Sequence, residues 1–326
     1  MIKDKNSHCL LCGLPTKFVL SNLADNRFGS PGEYSIAECD QCGLLQTVPM
    51  PEPEQLKQLY ETFYNFGGEK GTSYTKVREA FFSSIAYRSW IAIDGDISFH
   101  SHRGQGRLLD IGCNEGRGLV IYRQNGFHPE GLELNEKAAH DARMAGFTIH
   151  TQTLEEFQPE EPFDIIVLSN VLEHAPNPKN MLENVSRVLK PGGQIWISCP
   201  NSQSWLRKLF GRSWINWHVP FHLFHFSSKT LTQLLQRSGF EVTELKYATP
   251  SHWTSQSIVA AISAKQGRKT RYLRSPLLVA FLMFFCRFVL FPLLCVGNLS
   301  GCGDCLVVEA KKDLDLQISQ ITQIKN

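Results

Sequence analysis

The sequence predicts an α/β fold, in which strands and helices alternate along the chain behind a small cysteine-rich module. Two paired-cysteine motifs, CLLCG and CDQCG, lie near the N-terminus. From Arg107 onward, short apolar runs such as RLLDI and FDIIVLS alternate with amphipathic stretches. A short apolar run followed by a helical pattern is typical of the βα units that build a parallel sheet.

The composition limits the classes of protein that fit. The chain has 326 residues, enough for about two domains. The net charge of +2 shows no basic excess, which argues against a protein that binds many nucleic-acid phosphates. The first residues, MIKDKNSHCLLCG, contain no apolar core segment, so no secretory signal is expected. The ten cysteines therefore favour metal ligands or free thiols over disulfides.

The two cysteine motifs predict one structural zinc site. Two thiolates spaced by two residues can bind one metal from a tight turn, and the glycine after each pair permits a positive φ. Two such knuckles supply the four sulfurs of a closed tetrahedral site, which leaves no position for catalysis. The predicted ligands are Cys9, Cys12, Cys39 and Cys42. A helix is expected in PMPEPEQLKQLYETFY, and a second amphipathic stretch runs from about Tyr74 to Ile93.

The central part of the chain predicts a nucleotide-binding βαβ unit. RLLDIGCNEG is a buried strand entering a glycine-rich turn, GRGLVIYRQNG a helix, and HPEGLELN a second strand ending near Glu133. Gly112 and Gly116 allow the backbone to approach a ligand closely. Glu133, at the carboxyl end of the second strand, can accept hydrogen bonds from both ribose hydroxyls. Enzymes that bind dinucleotides share this pattern, so the unit alone leaves the cofactor open.

Later motifs narrow the choice. DIGCNEG, GLELN, FDIIVLSNVLEH and VLKPGGQIWISCPN resemble the successive motifs of class I S-adenosylmethionine-dependent methyltransferases. The resemblance implies a Rossmann-like, seven-stranded sheet with an antiparallel last strand. The cysteine motifs followed by GLLQTVPMPEPEQLKQLYETFY resemble a zinc-ribbon extension found on members associated with sugar or surface-glycan modification. The expected domains are a zinc ribbon (1–48), a helical linker (49–103), a methyltransferase domain (104–312) with a basic and apolar insertion (251–303), and a tail (313–326).

The resemblance also implies roles for single residues. The cofactor's methionine part would lie on Asp110, Gly112, Asn114 and Gly116, its ribose on Glu133, its adenine edge near Thr153 and Leu154, and its methyl group beside Ser169 and Asn170. Thr153 departs from the family pattern, because many members carry an aspartate there.

A histidine is the expected general base for a hydroxyl acceptor. WINWHVPFHLFHFS contains three, and His222 falls on the last histidine of a Tyr-His-Glu-His box found in related sugar methyltransferases. The rest of the box is missing, so His225 stays a second candidate and loop packing an alternative role for His218 and His225. A catalytic metal at Glu173 and His174 is a further alternative, because some relatives bind a divalent ion through ExxEH.

The predicted function is methylation of a sugar, a glycan end or a lipid-linked glycan precursor. One alternative is a small-molecule O- or C-methyltransferase of secondary metabolism. Another is a non-catalytic, cofactor-sensing protein that binds a partner through its zinc ribbon. A nucleic-acid partner is not expected, because the segment between Cys9 and Cys42 has few basic residues.

An apolar run near the C-terminus, LLVAFLMFFCRFVLFPLLCV, raises the question of a membrane. It is long enough to span a bilayer core, but the predicted strands on either side must lie in one sheet, which excludes a single span. Basic residues precede the run, and Arg287 and Pro292 interrupt it. The sequence predicts a cytoplasmic protein that contacts the cytoplasmic membrane face peripherally through residues 265–296. A lid on the protein's own surface or a dimer contact is the alternative.

Overall fold

The computed structural model describes residues 8–64, 80, 84–263 and 276–313. The chain divides into two compact units. The first unit comprises Met1–Gly95, Pro200–Ser227 and Tyr247–Cys305, and the second comprises Asp96–Cys199, Ser228–Lys246 and Leu306–Asn326. Part of the predicted second amphipathic stretch lies outside the described residues. The basic residues that precede the apolar run also lie outside them: Lys265, Arg268, Lys269, Arg271 and Arg274.

The first unit contains a four-stranded sheet. Its strands are β1 (Thr16–Leu23), β2 (Tyr34–Cys39), β3 (Leu45–Val48) and β9 (Phe224–His225), in the order β1-β2-β3-β9. All three pairings are antiparallel. The core beside this sheet includes Ile36, Leu45, Trp214 and Trp217. The short β9 comes from the histidine-rich segment, so that segment pairs directly with the cysteine module.

The helices of the first unit agree with the predicted ones where both can be compared. They are α1 (Pro53–Phe63), α2 (Ile85–Asp94), α6 (Trp205–Phe210), α8 (Ser251–Ser263), α9 (Pro276–Phe288) and α10 (Phe291–Leu299). α1 begins with a proline in its first turn, where the missing N–H costs no hydrogen bond. The Ser84 side chain caps α2 by accepting a hydrogen bond from the N–H of Tyr87.

The apolar run is broken into α9 and α10. Pro292 lies in the first turn of α10, and the axes of the two helices differ by 69°. The predicted break at Pro292 is therefore present. Within the described residues, no single helix is long and apolar enough to cross a bilayer, whereas the bent pair passes the same test of length and composition.

A seven-stranded sheet forms the core of the second unit. Its strands are β4 (Arg107–Ile111), β5 (His128–Leu132), β6 (Ile149–His150), β7 (Phe163–Ser169), β8 (Leu189–Pro200), β10 (Phe240–Ala248) and β11 (Cys305–Lys312). Their order is β10-β11-β8-β7-β4-β5-β6. The helices that alternate with the strands are α3 (Arg117–Gln124), α4 (Glu136–Met144), α5 (Pro178–Val188) and α7 (Ser228–Arg237). The predicted α/β class and mixed seven-stranded sheet are confirmed.

The order of the strands determines where a ligand can bind. β4 pairs in parallel with both β5 and β7, so the carboxyl ends of these strands lie at one edge of the sheet. Strand order reverses around β4, and such a switch point leaves a crevice beyond the strand ends. The KPGG segment, Lys190–Gly193, lies within β8 and forms no separate turn. It is an irregularity within β8, between the pairs Phe163↔Leu189 and Ile165↔Gln194.

Candidate functional site

The turn after β4 has a backbone that needs its glycines. Gly112, Asn114 and Gly116 all have positive φ, of 74°, 49° and 76°, a region that L-residues with a Cβ seldom adopt. A Cβ on Gly112 would lie 3.1 Å from Cγ2 of Val171, and one on Gly116 would lie 2.8 Å from Cβ of Ala142. The turn thus passes close to its neighbours, and a side chain at either glycine would crowd them.

Hydrogen bonds fix this turn against the end of β5. The N–H of Gly112 donates to the carbonyl of Leu132 (2.8 Å). The N–H of Asn114 donates to Oε2 of Glu133 (2.9 Å), and the N–H of Asn135 donates to Oε1 of the same carboxylate (2.8 Å). Glu133 is therefore held by one N–H on each oxygen, and each oxygen keeps lone-pair capacity for a ligand hydroxyl.

Two carboxyl groups influence each other beneath the turn. Burial, together with the nearby charge of Glu133, raises the pKa of Asp110 to about 8. Burial also raises the pKa of Glu133, although the N–H groups of Asn135 and Asn114 oppose the shift. Buried carboxyl groups that repel one another are stabilised by a cation placed near them. A positively charged ligand would meet that requirement.

The end of β7 supplies a polar edge to the same unit. Ser169 Oγ donates to the carbonyl of Ile97 (2.9 Å). Asn170 has a positive φ of 54°, and its N–H donates to the carbonyl of Ser198 (2.9 Å). Its side-chain Oδ1 is buried and has no hydrogen-bond partner among the described residues. A buried oxygen without a partner can accept a hydrogen bond from a donor on a ligand, such as an ammonium group.

Thr153 and Leu154 lie beside the second unit's sheet, in a capped turn. The Thr153 hydroxyl and N–H both donate to the Glu156 carboxylate, at 3.0 and 3.3 Å. Leu154 is buried, and its carbonyl accepts a hydrogen bond from Arg187 (2.9 Å). The predicted adenine contact at Thr153 would thus compete with Glu156, and it stays a prediction.

The four predicted zinc ligands come together in the first unit. Both knuckles have the same backbone: Cys9 N–H donates to the Leu14 carbonyl and Cys39 N–H donates to the Leu44 carbonyl, at 2.8 and 2.9 Å. The glycine after each pair, Gly13 or Gly43, has a positive φ of 73° or 76°. The predicted role of these glycines in the knuckle turns is confirmed.

The sulfur positions fit a tetrahedral metal. The Sγ–Sγ distances are 3.5 Å for Cys9–Cys42, 3.4 Å for Cys12–Cys39 and 3.9 Å for Cys12–Cys42. Zn–S bonds of about 2.3 Å place the four sulfurs of a tetrahedron about 3.8 Å apart. Among the described residues, no candidate metal group includes Cys302 or Cys305.

The three histidines of the predicted loop are buried within the first unit. His222 Nδ1 donates to the carbonyl of Asn216 (2.8 Å), so in the neutral ring the proton is on Nδ1 and Nε2 has the lone pair. His225 lies on β9, and Thr47 Oγ1 is 3.1 Å from its Nε2. Burial and the charge of Arg207 lower the pKa of His225 to about 3.

His218 packs among aromatic rings. Its ring centroid is 5.4 Å from that of Phe28, 5.9 Å from that of Tyr64 and 5.2 Å from that of Phe221. These contacts match the loop-packing alternative given for His218. The alternative of a catalytic metal concerns Glu173 and His174. Glu173 is buried, and burial raises its pKa to about 8.

Asp304 was not singled out from the sequence. Its buried carboxylate accepts hydrogen bonds from Trp214 Nε1 (2.8 Å) and Asn216 Nδ2 (3.1 Å), and burial raises its pKa to about 6. Asn216 is the residue whose carbonyl accepts from His222. Asp304 therefore holds the side chain of the residue whose carbonyl orients the His222 ring. The only signal in the sequence is that Asp304 is the first acidic residue after a long stretch without one.

Known proteins match the central part of the chain. Residues 89–245 match the family described as "Methyltransferase domain". A ubiquinone biosynthesis O-methyltransferase from Aromatoleum aromaticum is 29% identical over 153 residues, which are 43% of this chain and 65% of that protein. A probable S-adenosylmethionine-dependent methyltransferase from Mycolicibacterium smegmatis is 32% identical over 148 residues, 44% of this chain and 56% of that protein. The chain thus spans about half to two thirds of the length of these relatives.

A solved structure of 1,6-didemethyltoxoflavin-N1-methyltransferase from Burkholderia thailandensis aligns with 87% of this chain and 97% of its own, with 17% identity and a TM-score of 0.46. Likeness at this level carries no argument about substrate. The matching family model and the position of β11 between β8 and β10 agree with the expectation from the sequence motifs. Residues 89–245 of this chain are therefore similar to the methyltransferase-domain family, and the order of the strands agrees with that similarity.

Proposed function

We propose that the whole chain is an S-adenosylmethionine-dependent methyltransferase that acts on a sugar, a glycan end or a lipid-linked glycan precursor. The observation that carries the proposal is the turn of Gly112 to Gly116 with Glu133 fixed beside it, within a methyltransferase domain. The acceptor class is supported by the resemblance of the cysteine module to the zinc ribbons of glycan-modifying members.

The residues of the second unit fit the proposed cofactor. When bound, S-adenosylmethionine supplies an electrophilic methyl group on a sulfonium. Glu133 has lone pairs for the ribose hydroxyls, and Asn170 Oδ1 offers an unused acceptor for the ammonium group. The Asp110–Glu133 pair favours a cationic ligand. These contacts hold and orient the cofactor, which is the main contribution that an enzyme makes to an in-line methyl transfer.

A substrate hydroxyl must also lose its proton when it accepts the methyl group, and we assign the removal of that proton to His222. Its Nδ1–H bond to Asn216 presents Nε2 as the proton acceptor. Asp304 acts as a positioning residue through Asn216. The four cysteines hold a structural zinc in this proposal, because four thiolates complete the coordination and leave no open position.

A second candidate function has support from the relatives. Matching proteins are named for an O-methylation in ubiquinone biosynthesis, which favours a small-molecule acceptor as the second candidate. An assay of methyl transfer to three pools separates the candidates: lipid-linked glycans, phenolic quinone precursors and RNA. We expect product only with the glycan pool. Product only with the phenolic pool would replace the glycan proposal by the second one, and no product in any pool would contradict the enzymatic proposal.

Alanine at His222 tests the base. We expect His222→Ala to lower turnover by on the order of 10²–10⁴ while the dissociation constant of the cofactor is unchanged. His225→Ala is the matched control, because His225 lies in the same loop region and its low pKa makes it a weak base. A large loss in His225→Ala with normal turnover in His222→Ala would transfer the role to His225.

A further inference from the structure

The bent pair, α9 and α10, leaves an apolar face in solvent. On α9, the exposed residues Leu277, Phe281, Phe284 and Phe288 follow one another at helical spacing, so they form one stripe along the helix. Phe281 and Phe288 are each 66% exposed. On α10, Leu293, Val296 and Leu299 continue an apolar face. Exposed apolar surface on this scale marks a site that another surface covers.

The one charged residue of the pair is turned away from that face. Arg287 is 5% exposed, and its Nη1 is 3.6 Å from Oδ1 of Asp94. Its guanidinium also lies 4.8 Å from the ring centroid of Phe291. The N–H of Ser251 donates to both oxygens of Asp94, at 3.1 Å. Arg287 interrupts the apolar run in the sequence, but its side chain is buried. Among the described residues of the two helices, the exposed face therefore carries no charge.

α2 adds to the same apolar surface. The Trp90 ring contacts the Phe284 ring edge-on, with centroids 5.5 Å apart and planes at 70°. Ile85 and Ile93, on the same helix, are exposed. Tryptophan is enriched where protein meets the interfacial zone of a bilayer. Trp90 thus lies beside the apolar face, and tryptophan is a residue typical of surfaces that contact membranes.

The dimensions favour contact with one leaflet. α9 has 13 residues and α10 has 9, or about 20 and 14 Å at 1.5 Å per residue. Each is shorter than the ~30 Å core of a bilayer, and the 69° bend prevents them from forming one straight span. Helices of this kind insert their apolar face at the boundary between headgroups and acyl chains.

Charge selects the kind of partner. From Ser251 to Gly303 the sequence has no acidic residue, and five basic residues precede α9. Basic residues beside an apolar helix are attracted to anionic phospholipids, whereas a second copy of this chain would bring the same positive charges together. We propose that the face formed by α9 and α10 docks on the surface of an anionic phospholipid bilayer, such as the cytoplasmic face of a membrane. This inference is independent of the acceptor and of methyl transfer.

Co-sedimentation of the full chain with vesicles tests the proposal. We expect binding to vesicles that mix phosphatidylglycerol with phosphatidylcholine, and weaker binding to phosphatidylcholine alone or at high salt. Phe281→Asp should lower the partition coefficient at least tenfold, because it places a charge on the inserted face. Met144→Asp is the matched control: Met144 is 76% exposed on α4 of the other unit, and its substitution should not change binding.

Each other outcome would overturn the proposal. Wild-type protein that remains in the supernatant with both kinds of vesicle contradicts docking on lipid. Equal losses in Phe281→Asp and Met144→Asp would show a general charge effect instead of a docking face. If light scattering shows a dimer that Phe281→Asp converts to a monomer, and neither protein binds vesicles, a second copy covers the face. The folded state of Phe281→Asp is checked separately, by comparing its far-UV circular dichroism spectrum with that of the wild type.

Discussion

Replacing Gly112 by alanine should weaken the binding of S-adenosylmethionine at least tenfold. Gly112 has a φ of 74°, and a Cβ built on it lies 3.1 Å from Cγ2 of Val171. The turn cannot shift freely to relieve this contact, because the N–H of Gly112 is bonded to the carbonyl of Leu132 at the end of β5. The added methyl group must therefore displace either Val171 or the turn that carries Asn114.

Two effects contribute, and a second glycine separates them. A left-handed conformation costs an L-residue about 1–2 kcal/mol, which lowers the free energy of unfolding. Gly146 has a similar φ of 81°, and a Cβ there meets nothing within 4 Å. Gly146→Ala should thus show the conformational cost alone. The loss of cofactor affinity expected for Gly112→Ala comes from the contact with Val171. A tenfold loss of affinity corresponds to about 1.4 kcal/mol.

Isothermal calorimetry with the cofactor and urea unfolding measure the two quantities on the same proteins. We expect both variants to lose about 1–2 kcal/mol of stability, and only Gly112→Ala to lose affinity. Gly112→Arg, with a much larger side chain, should abolish binding. Equal affinity in the wild type, Gly112→Ala and Gly112→Arg would refute the assignment of this turn to the cofactor.

Other expectations concern the metal, a buried carboxyl group and the histidine loop. Cys39→Ser should reduce the zinc content from about one per chain, as measured by elemental analysis, whereas Cys302→Ser should leave it unchanged. Zinc that is retained after all four predicted ligands are replaced would place the site elsewhere. The pKa of Asp110 is raised to about 8 in the folded state, so the folded protein loses stability as pH rises from about 4 to 8; Asp110→Asn should become more stable than the wild type over that range, by on the order of a few kcal/mol above pH 8, and a pH-independent difference in urea unfolding would contradict the shift. Asp304→Asn should lower stability by about 1–3 kcal/mol and turnover more than cofactor affinity, because Trp214 and Asn216 donate to different oxygens of the carboxylate and an amide replaces one of these oxygens by a donor NH2 group. Unchanged unfolding and turnover would show that the contact contributes nothing.

The features that the sequence predicted depend on neighbouring residues. An apolar run and the glycines that follow it specify β4 and its turn, since both the burial of the strand and the positive φ of Gly112 are local requirements. The cysteine knuckles are local for the same reason. The class of fold followed because several such βα units occur in order along the chain.

The features that the sequence did not predict depend on residues far apart. β9 has two residues, too few for a recognisable pattern, and it exists only through its pairing with Leu45 and Gln46. Arg287 looked like a break in an apolar run because its partner, Asp94, lies in a different helix. The chain also crosses between its two units several times, whereas reading along a sequence assumes contiguous domains.

The pairing of β3 with β9 connects the cysteine module with the histidine loop in one folding equilibrium. Thr47 on β3 donates to the carbonyl of His222 (2.6 Å) and contacts His225, and β3 begins shortly after the second knuckle. A metal that binds only the folded knuckles would favour the ordered loop by mass action. Chelation should therefore expose the amides of β9 to hydrogen exchange together with those of β3. The proposed zinc would then act as a thermodynamic effector of the loop, so that metal supply sets the fraction of molecules with His222 in place.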